Sequence, residues 1–169
     1  MLVTSTAMPS DSVRIIGIDP GYDRMGVAII ERKKGKKETL LWSTCVESSR
    51  TLSFEERLLL LASEFERVIK EYKPSILSLE KIFFTKNQRT GIAVAEVRGM
   101  LRYLAQKHRL MVMEYTPQQI KQSVTGYGNA DKKQVAHMVT LILTLKNERR
   151  HDDEYDAIAT GLTALGHVR

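Results

Sequence analysis

In the run Gly17-Ile18-Asp19-Pro20-Gly21 a carboxylate ends an apolar strand at a Pro-Gly turn, and this stretch constrains the fold more than any other. The preceding Val13-Arg14-Ile15-Ile16-Gly17-Ile18 is rich in β-branched residues, and Gly26-Val27-Ala28-Ile29-Ile30 resumes that character after a polar loop. The two runs predict a β-hairpin. A lone carboxylate at the end of a buried strand is costly without a partner charge or a metal. Asp19 is therefore a candidate metal ligand, although Asp and Gly also serve at ordinary turns, where Asp acts as a cap.

Strands and helices alternate along the rest of the 169 residues without a repeat, a low-complexity stretch or a dividing linker. This pattern predicts one α/β domain. Thr39 to Glu47 reads as a third strand. Ser53-Phe54-Glu55-Glu56 has the form of a capping box, with Ser53 as N-cap. Behind it Phe54, Leu58, Leu61, Ala62, Phe65, Val68, Ile69 and Tyr72 recur at three- and four-residue spacing, the stripe of a helix laid on a sheet. Pro74 breaks that helix before a short buried strand, Ser75 to Glu80, which again ends in an acid.

A polar loop at Lys86 to Arg89 leads into a second helix, expected over Gly91 to Gln106. Ala95 and Gly99 lie four residues apart on it, a spacing that allows another helix to approach within the domain or across a dimer interface. Leu110 to Tyr115 gives a fifth strand, and Thr116 caps a helix with Pro117 in its first turn. That helix ends near Gly126-Tyr127-Gly128-Asn129, between Lys121 and the pair Lys132 and Lys133. Two glycines flanked by lysines suit contact with phosphates, and they equally suit a solvated helix end. The segment His151-Asp152-Asp153-Glu154-Tyr155-Asp156-Ala157-Ile158-Ala159 opens a final apolar helix that runs toward Gly166.

Lys plus Arg number 26 against 20 Asp plus Glu, a formal charge of +6. If acids gather in one place the remaining surface is more basic still, which favours polyanionic partners. No run approaches the roughly 20 consecutive apolar residues of a membrane span. Cys45 is the only cysteine, so no intramolecular disulfide is possible, nothing suggests a cysteine zinc site, and a reducing cytoplasm fits. Met1 to Ser12 has neither the basic nor the apolar region of a secretory signal. It reads as a flexible N-terminal extension, residues 1–12, before a domain over 13–169.

Glu80 repeats the arrangement of Asp19. If their strands are neighbours in a mostly parallel sheet, the two acids face each other at its carboxyl edge, where α/β sites form. Pairing with Lys81 or Lys86 is the plainer alternative for Glu80. Asp153 and Asp156, at i and i+3, share one helix face. The helix dipole accounts for acids in a first turn, but less well for Asp156, which sits beside Ala157, Ile158 and Ala159. Should all four acids converge, two like charges ~4 Å apart repel by about 4 kcal/mol at an effective dielectric near 20. Such a cluster needs protons or cations, and oxygen-only ligation suits magnesium or manganese. A pair of hard cations can activate water, stabilise the leaving oxygen and cleave a phosphodiester in line.

With these residues in place the sequence resembles the RuvC-type Holliday junction resolvases of the ribonuclease H-like superfamily. The motifs are GIDPG at 17–21, SLEKIFFTKN at 78–87, QQIKQSVTGYGNADKKQVAHMV at 118–139 and DEYDAIA at 153–159, in the family's order and spacing. The resemblance spans roughly Arg14 to Val168 and implies a ribonuclease H-like α/β fold, a five-stranded mixed sheet flanked by helices. It implies a homodimer that resolves four-way DNA junctions in recombination and repair by paired symmetric nicks. Two magnesium ions per site are expected, with manganese able to substitute, and RuvA and RuvB as branch-migration partners.

By motif position the resemblance makes Asp19, Glu80, Asp153 and Asp156 the metal-binding catalytic acids. Asp152 and His151 are the alternatives to Asp153, and the i, i+3 spacing to Asp156 favours Asp153. Lys121 joins the catalytic set as a basic residue near the cut backbone, and Lys132 matches a second. Phe83 matches the aromatic placed near the branch point, where stacking on an unpaired base is plausible. The expected DNA-contacting set is Phe83, Lys86, Arg89, Lys121, Lys132 and Lys133. The Gly91 to Gln106 helix is implied at the dimer interface. Two other readings remain: a ribonuclease H-like nuclease acting on another nucleic acid such as structured RNA, and a junction-binding protein without catalysis. Retention of all four acids argues against the latter.

Overall fold

The computed structural model describes residues 12–81, 88–146 and 150–168, with the backbone alone for 88–90. Five strands, β1 (Ser12–Asp19), β2 (Arg24–Lys33), β3 (Glu38–Glu47), β4 (Ile76–Glu80) and β5 (Met111–Tyr115), form one mixed sheet in the order β3-β2-β1-β4-β5. The first three are antiparallel neighbours, while β4 and β5 run parallel to β1. The helices are α1 (Phe54–Tyr72), α2 (Gln88–Lys107), α3 (Pro117–Thr125), α4 (Lys132–Leu143) and α5 (Asp152–His167).

β1 lies at the centre of the sheet and is apolar on both faces, which is why it reads as a near-continuous run of Ile. Ile16 and Ile18 pack with Leu61, Phe65, Val68, Val97 and Leu101 of α1 and α2. Ile15 faces the other way, toward Ile120, Val135, Ile158 and Leu165 of α3, α4 and α5. Each fully buried Ile, Leu or Phe in these two layers contributes about 1.5–3 kcal/mol relative to exposure.

Local signals set most element ends. The Ser53 and Thr116 capping boxes are both formed, with Glu56 and Gln119 as their reciprocal partners. Asp131 forms a third with Gln134 at the start of α4. The helix expected over 91–106 begins three residues earlier and extends to Lys107. Ser12, assigned by sequence to the extension, instead opens β1, because antiparallel pairing continues as far as Ser12 opposite Lys33. Residues 1–11 lie outside the described residues. Among the described residues no helix is long and apolar enough to cross a membrane.

Candidate active site

Parallel pairing of Ile18 with Leu79 leaves Asp19 and Glu80 side by side at the carboxyl ends of β1 and β4. The two-residue period of a strand puts both on the face covered by α5. Ser78, two residues before Glu80, confirms this orientation, since its hydroxyl donates to the Thr160 carbonyl of α5 at 2.8 Å.

α5 can lie on this edge because the sheet lacks side chains there. A Cβ on Gly17 would stand 2.2 Å from the Ala157 carbonyl oxygen, and one on Gly26 would stand 1.9 Å from the Asp153 carbonyl oxygen. Gly161, on the helix itself, lies against Gly17, whose Cα stands 3.6 Å from a Cβ built on Gly161. Three glycines thus seat the helix backbone directly on β1 and β2, bringing Asp156 to Asp19 and Glu80.

The electrostatics carry the mark of that convergence. Burial, and then the charges of Asp156, Glu80 and Asp153, push the Asp19 carboxyl up from 3.8 to about 7. Burial, with the Asp156 charge next, also raises Glu80. Asp156 is raised by burial, against the opposing pull of Lys132, whose Nζ lies 3.1 Å from its Oδ2. Lys132 is raised in turn, chiefly by Asp156. A cleft of about 150 Å³ opens beside these groups, with Glu80, Asp156, Lys121 and Lys132 as its polar lining and Pro117, Ile120 and Val135 as its apolar wall.

Asp153 is differently placed. It shares the α5 face and contributes to the field at Asp19, but its carboxylate is engaged by Arg24 at 3.3 Å and accepts from the Cys45 thiol at 3.7 Å. Asp152 and Lys133 are exposed. The arrangement therefore joins Asp19, Glu80, Asp156, Lys121 and Lys132 closely, with Asp153 at the margin. Phe83 and Lys86 lie outside the described residues, as does the side chain of Arg89. Among the described residues, the three metal-donor groups that close to within 4.8 Å of one another are Cys45, Glu47 and His151, rather than three of the acids.

Two arginines that the sequence reading did not single out hold this edge. Arg98 of α2 is buried and donates to the Glu80 carbonyl and to the Glu114 carboxylate. Arg57 of α1 is buried too, donating to Ser48 and Asp23 and lying 4.9 Å from the Tyr22 ring centroid, so it fixes the loop that follows Asp19. A charged residue on the inner stripe of an amphipathic helix was the available signal in both cases. Arg98→Ala is expected to cost about 2–4 kcal/mol, because it removes a buried donor from the Glu80 carbonyl and leaves the half-buried Glu114 carboxylate only the longer contact with Arg102 at 3.9 Å. Chemical denaturation checks this, and a midpoint unchanged from wild type would remove Arg98 from the support of Glu80.

A mixed sheet in this order, with acids at the carboxyl ends of its two central strands and a helix bringing a third, defines the class: a ribonuclease H-like nuclease fold. The family model described as crossover junction endodeoxyribonuclease RuvC matches residues 15–164. The chain belongs to that family. A crossover junction endodeoxyribonuclease RuvC of Thermosipho melanesiensis is 41% identical over 147 residues, covering 87% of this chain and 93% of the relative. One of Caldicellulosiruptor saccharolyticus is 39% identical over 150 residues, 89% of this chain and 90% of the relative. Among solved structures, Thermus thermophilus RuvC in complex with Holliday junction substrate matches with a TM-score of 0.86 and 30% identity, over 92% of this chain and 94% of that one.

Proposed function

We propose that this protein is a structure-specific endonuclease that resolves four-way DNA junctions in recombination and repair by paired symmetric nicks. The observation that carries this reading is the convergence of Asp19, Glu80 and Asp156 at one sheet edge in a chain of this family. The donor chemistry fits hard divalent cations. The groups are carboxylate oxygens, partly buried, and raised toward protonation by burial and by one another. Asp19, Glu80, Asp153 and Asp156 would hold two magnesium ions, with manganese as a substitute. Once bound, such ions supply water activation and charge stabilisation at the leaving oxygen.

The chain's own residues do the rest. Asp19 lies within the field of all three other acids, so it would hold a cation in common with them. Lys121 reaches the cleft from α3 beside Glu80 and positions a phosphate or offsets transition-state charge there. Lys132 rests on Asp156, and exchanges that carboxylate for the DNA backbone as substrate enters. Pro117, Ile120 and Val135 close one wall of the cleft to water. The excess of positive charge makes junction binding fall steeply with salt.

Two strands must be cut, which calls for two sites related by a two-fold axis. The outer face of α2 suits that dimer: Ile92 and Tyr103 are exposed, and a Cβ on Gly99 would meet nothing within 4 Å. RuvA and RuvB are the partners this reading implies.

The test is cleavage of mobile and immobile four-way junctions with magnesium, beside linear duplex and an RNA–DNA hybrid. Paired nicks confined to junctions support the reading, and preferential cutting of the hybrid overturns it. Lys121→Ala is expected to slow cleavage at saturating DNA by about 10- to 100-fold, with binding weakened far less. An unchanged rate under those conditions would remove Lys121 from the chemistry.

A further inference from the structure

A second group of donors stands beside the carboxylate cleft. Cys45 and Glu47 are two residues apart on β3 and so project to the same face. His151 is the residue that caps α5. One donor atom from each of Cys45, Glu47 and His151 lies within 4.8 Å of the other two. Glu47 and His151 are exposed and Cys45 is half-buried, so an ion can enter from solvent.

Four-coordinate zinc, with bonds of about 2.0–2.3 Å, spaces its donors by about 3.3–3.8 Å. Closing the group onto an ion therefore asks for shifts of about 1 Å or less, within the reach of exposed side chains. Asp153 borders the group through the thiol, its Oδ2 3.7 Å from Cys45 Sγ, and stands outside the set whose donors all lie within 4.8 Å of one another, so it must swing in to become a fourth donor. Thiolate and imidazole select a borderline or soft ion, whereas magnesium keeps to oxygen. The two neighbouring sites thus differ in what they take.

We propose that Cys45, Glu47 and His151 form a zinc-class metal site with Asp153 as fourth donor, and that its occupation suppresses cleavage. On binding, the Cys45 S–H bond breaks, its proton goes to solvent and the sulfur lone pair forms the bond to the ion; no redox change occurs. Asp153 leaves Arg24, its partner at 3.3 Å, and is committed to the second ion. The suppression rests on the role given to Asp153 above; the binding does not.

Cobalt(II) is the probe, added to the full chain with magnesium in excess. Because Cys45 is the sole cysteine, a sulfur-to-cobalt charge-transfer band reports this site alone. The expected result is that band with the intense visible absorption of tetrahedral cobalt, saturating at one ion per chain and displaced by zinc. Cys45→Ser abolishes the charge-transfer band, and His151→Ala weakens binding at least ~10-fold. A wild-type protein without the sulfur band overturns the site.

In junction cleavage at fixed magnesium, micromolar zinc is expected to slow wild type at least ~10-fold. Cys45→Ser should keep its own zinc-free rate. Equal inhibition of both proteins places zinc in the carboxylate cleft and overturns the suppression. A cobalt spectrum as expected in a protein that never cuts junctions leaves the site standing and faults the proposed function instead.

Discussion

Asp19→Asn is expected to lower junction cleavage by at least about a thousandfold, equivalent to about 4 kcal/mol of barrier, while junction affinity stays within a few-fold of wild type. The carboxamide keeps the shape and removes the charge that would gather divalent cations. A variant that cuts at near wild-type rate would show that Asp19 holds no essential ion. The same substitution has an opposite effect on the metal-free fold. The Asp19 carboxyl is raised from 3.8 to about 7, so between those values the folded chain binds more protons than the unfolded one. Its contribution to stability is therefore complete below about pH 4 and lost as pH rises through about 7.

With a chelator present, then, wild type should lose stability across that interval, and Asp19→Asn should lose only the smaller part that belongs to the raised Glu80 and Asp156 carboxyls. The rise in the Asp19 carboxyl corresponds to at most about 4 kcal/mol; residual solvent access reduces the expected gain in the variant to about 1–2 kcal/mol above pH 7. Thermal unfolding in chelator at pH 5 and pH 8 measures it. Saturating magnesium should erase the difference by stabilising wild type alone.

Gly26→Ala is expected to destabilise the protein by about 3 kcal/mol or more and to depress cleavage at least ~100-fold. The added methyl would lie 1.9 Å from the Asp153 carbonyl oxygen and 3.2 Å from the Ala157 Cβ, and backbone cannot step aside as a side chain does. α5 must lift from the sheet, carrying Asp153 and Asp156 away from Asp19. Urea denaturation and the junction assay, run on the same preparation, test both effects. Wild-type stability would mean that the helix is not seated on the glycine.

The strands, α1 and α3 were legible because their signals are local. β-branched runs, the Ser53 and Thr116 caps and the spacing of Leu61, Phe65 and Val68 each act within a few residues of themselves. The acid-ended strands were legible too, since an ionised group closing an apolar run demands an explanation wherever the chain folds. The family's motifs then joined Asp19 and Glu80 to the α5 acids. The helix expected from Gly91 was less well bounded, since it begins three residues earlier at Gln88 and runs on to Lys107.

The sequence by itself determined the five strands, every helix but α4 (Lys132–Leu143), the four candidate acids and the family, because periodicity, caps and motif spacing are properties of contiguous residues. Only the tertiary structure decided how close those acids come and what holds them. Gly17 and Gly26 read as strand glycines until α5 lies on them, and the partners of Arg98, the Glu80 carbonyl and the Glu114 carboxylate, come from other elements. Likewise, Cys45 is a lone thiol in the sequence, over a hundred residues from the His151 that closes on it. Contacts between distant segments depend on how layers pack, and packing is settled by sterics and burial that no local pattern records.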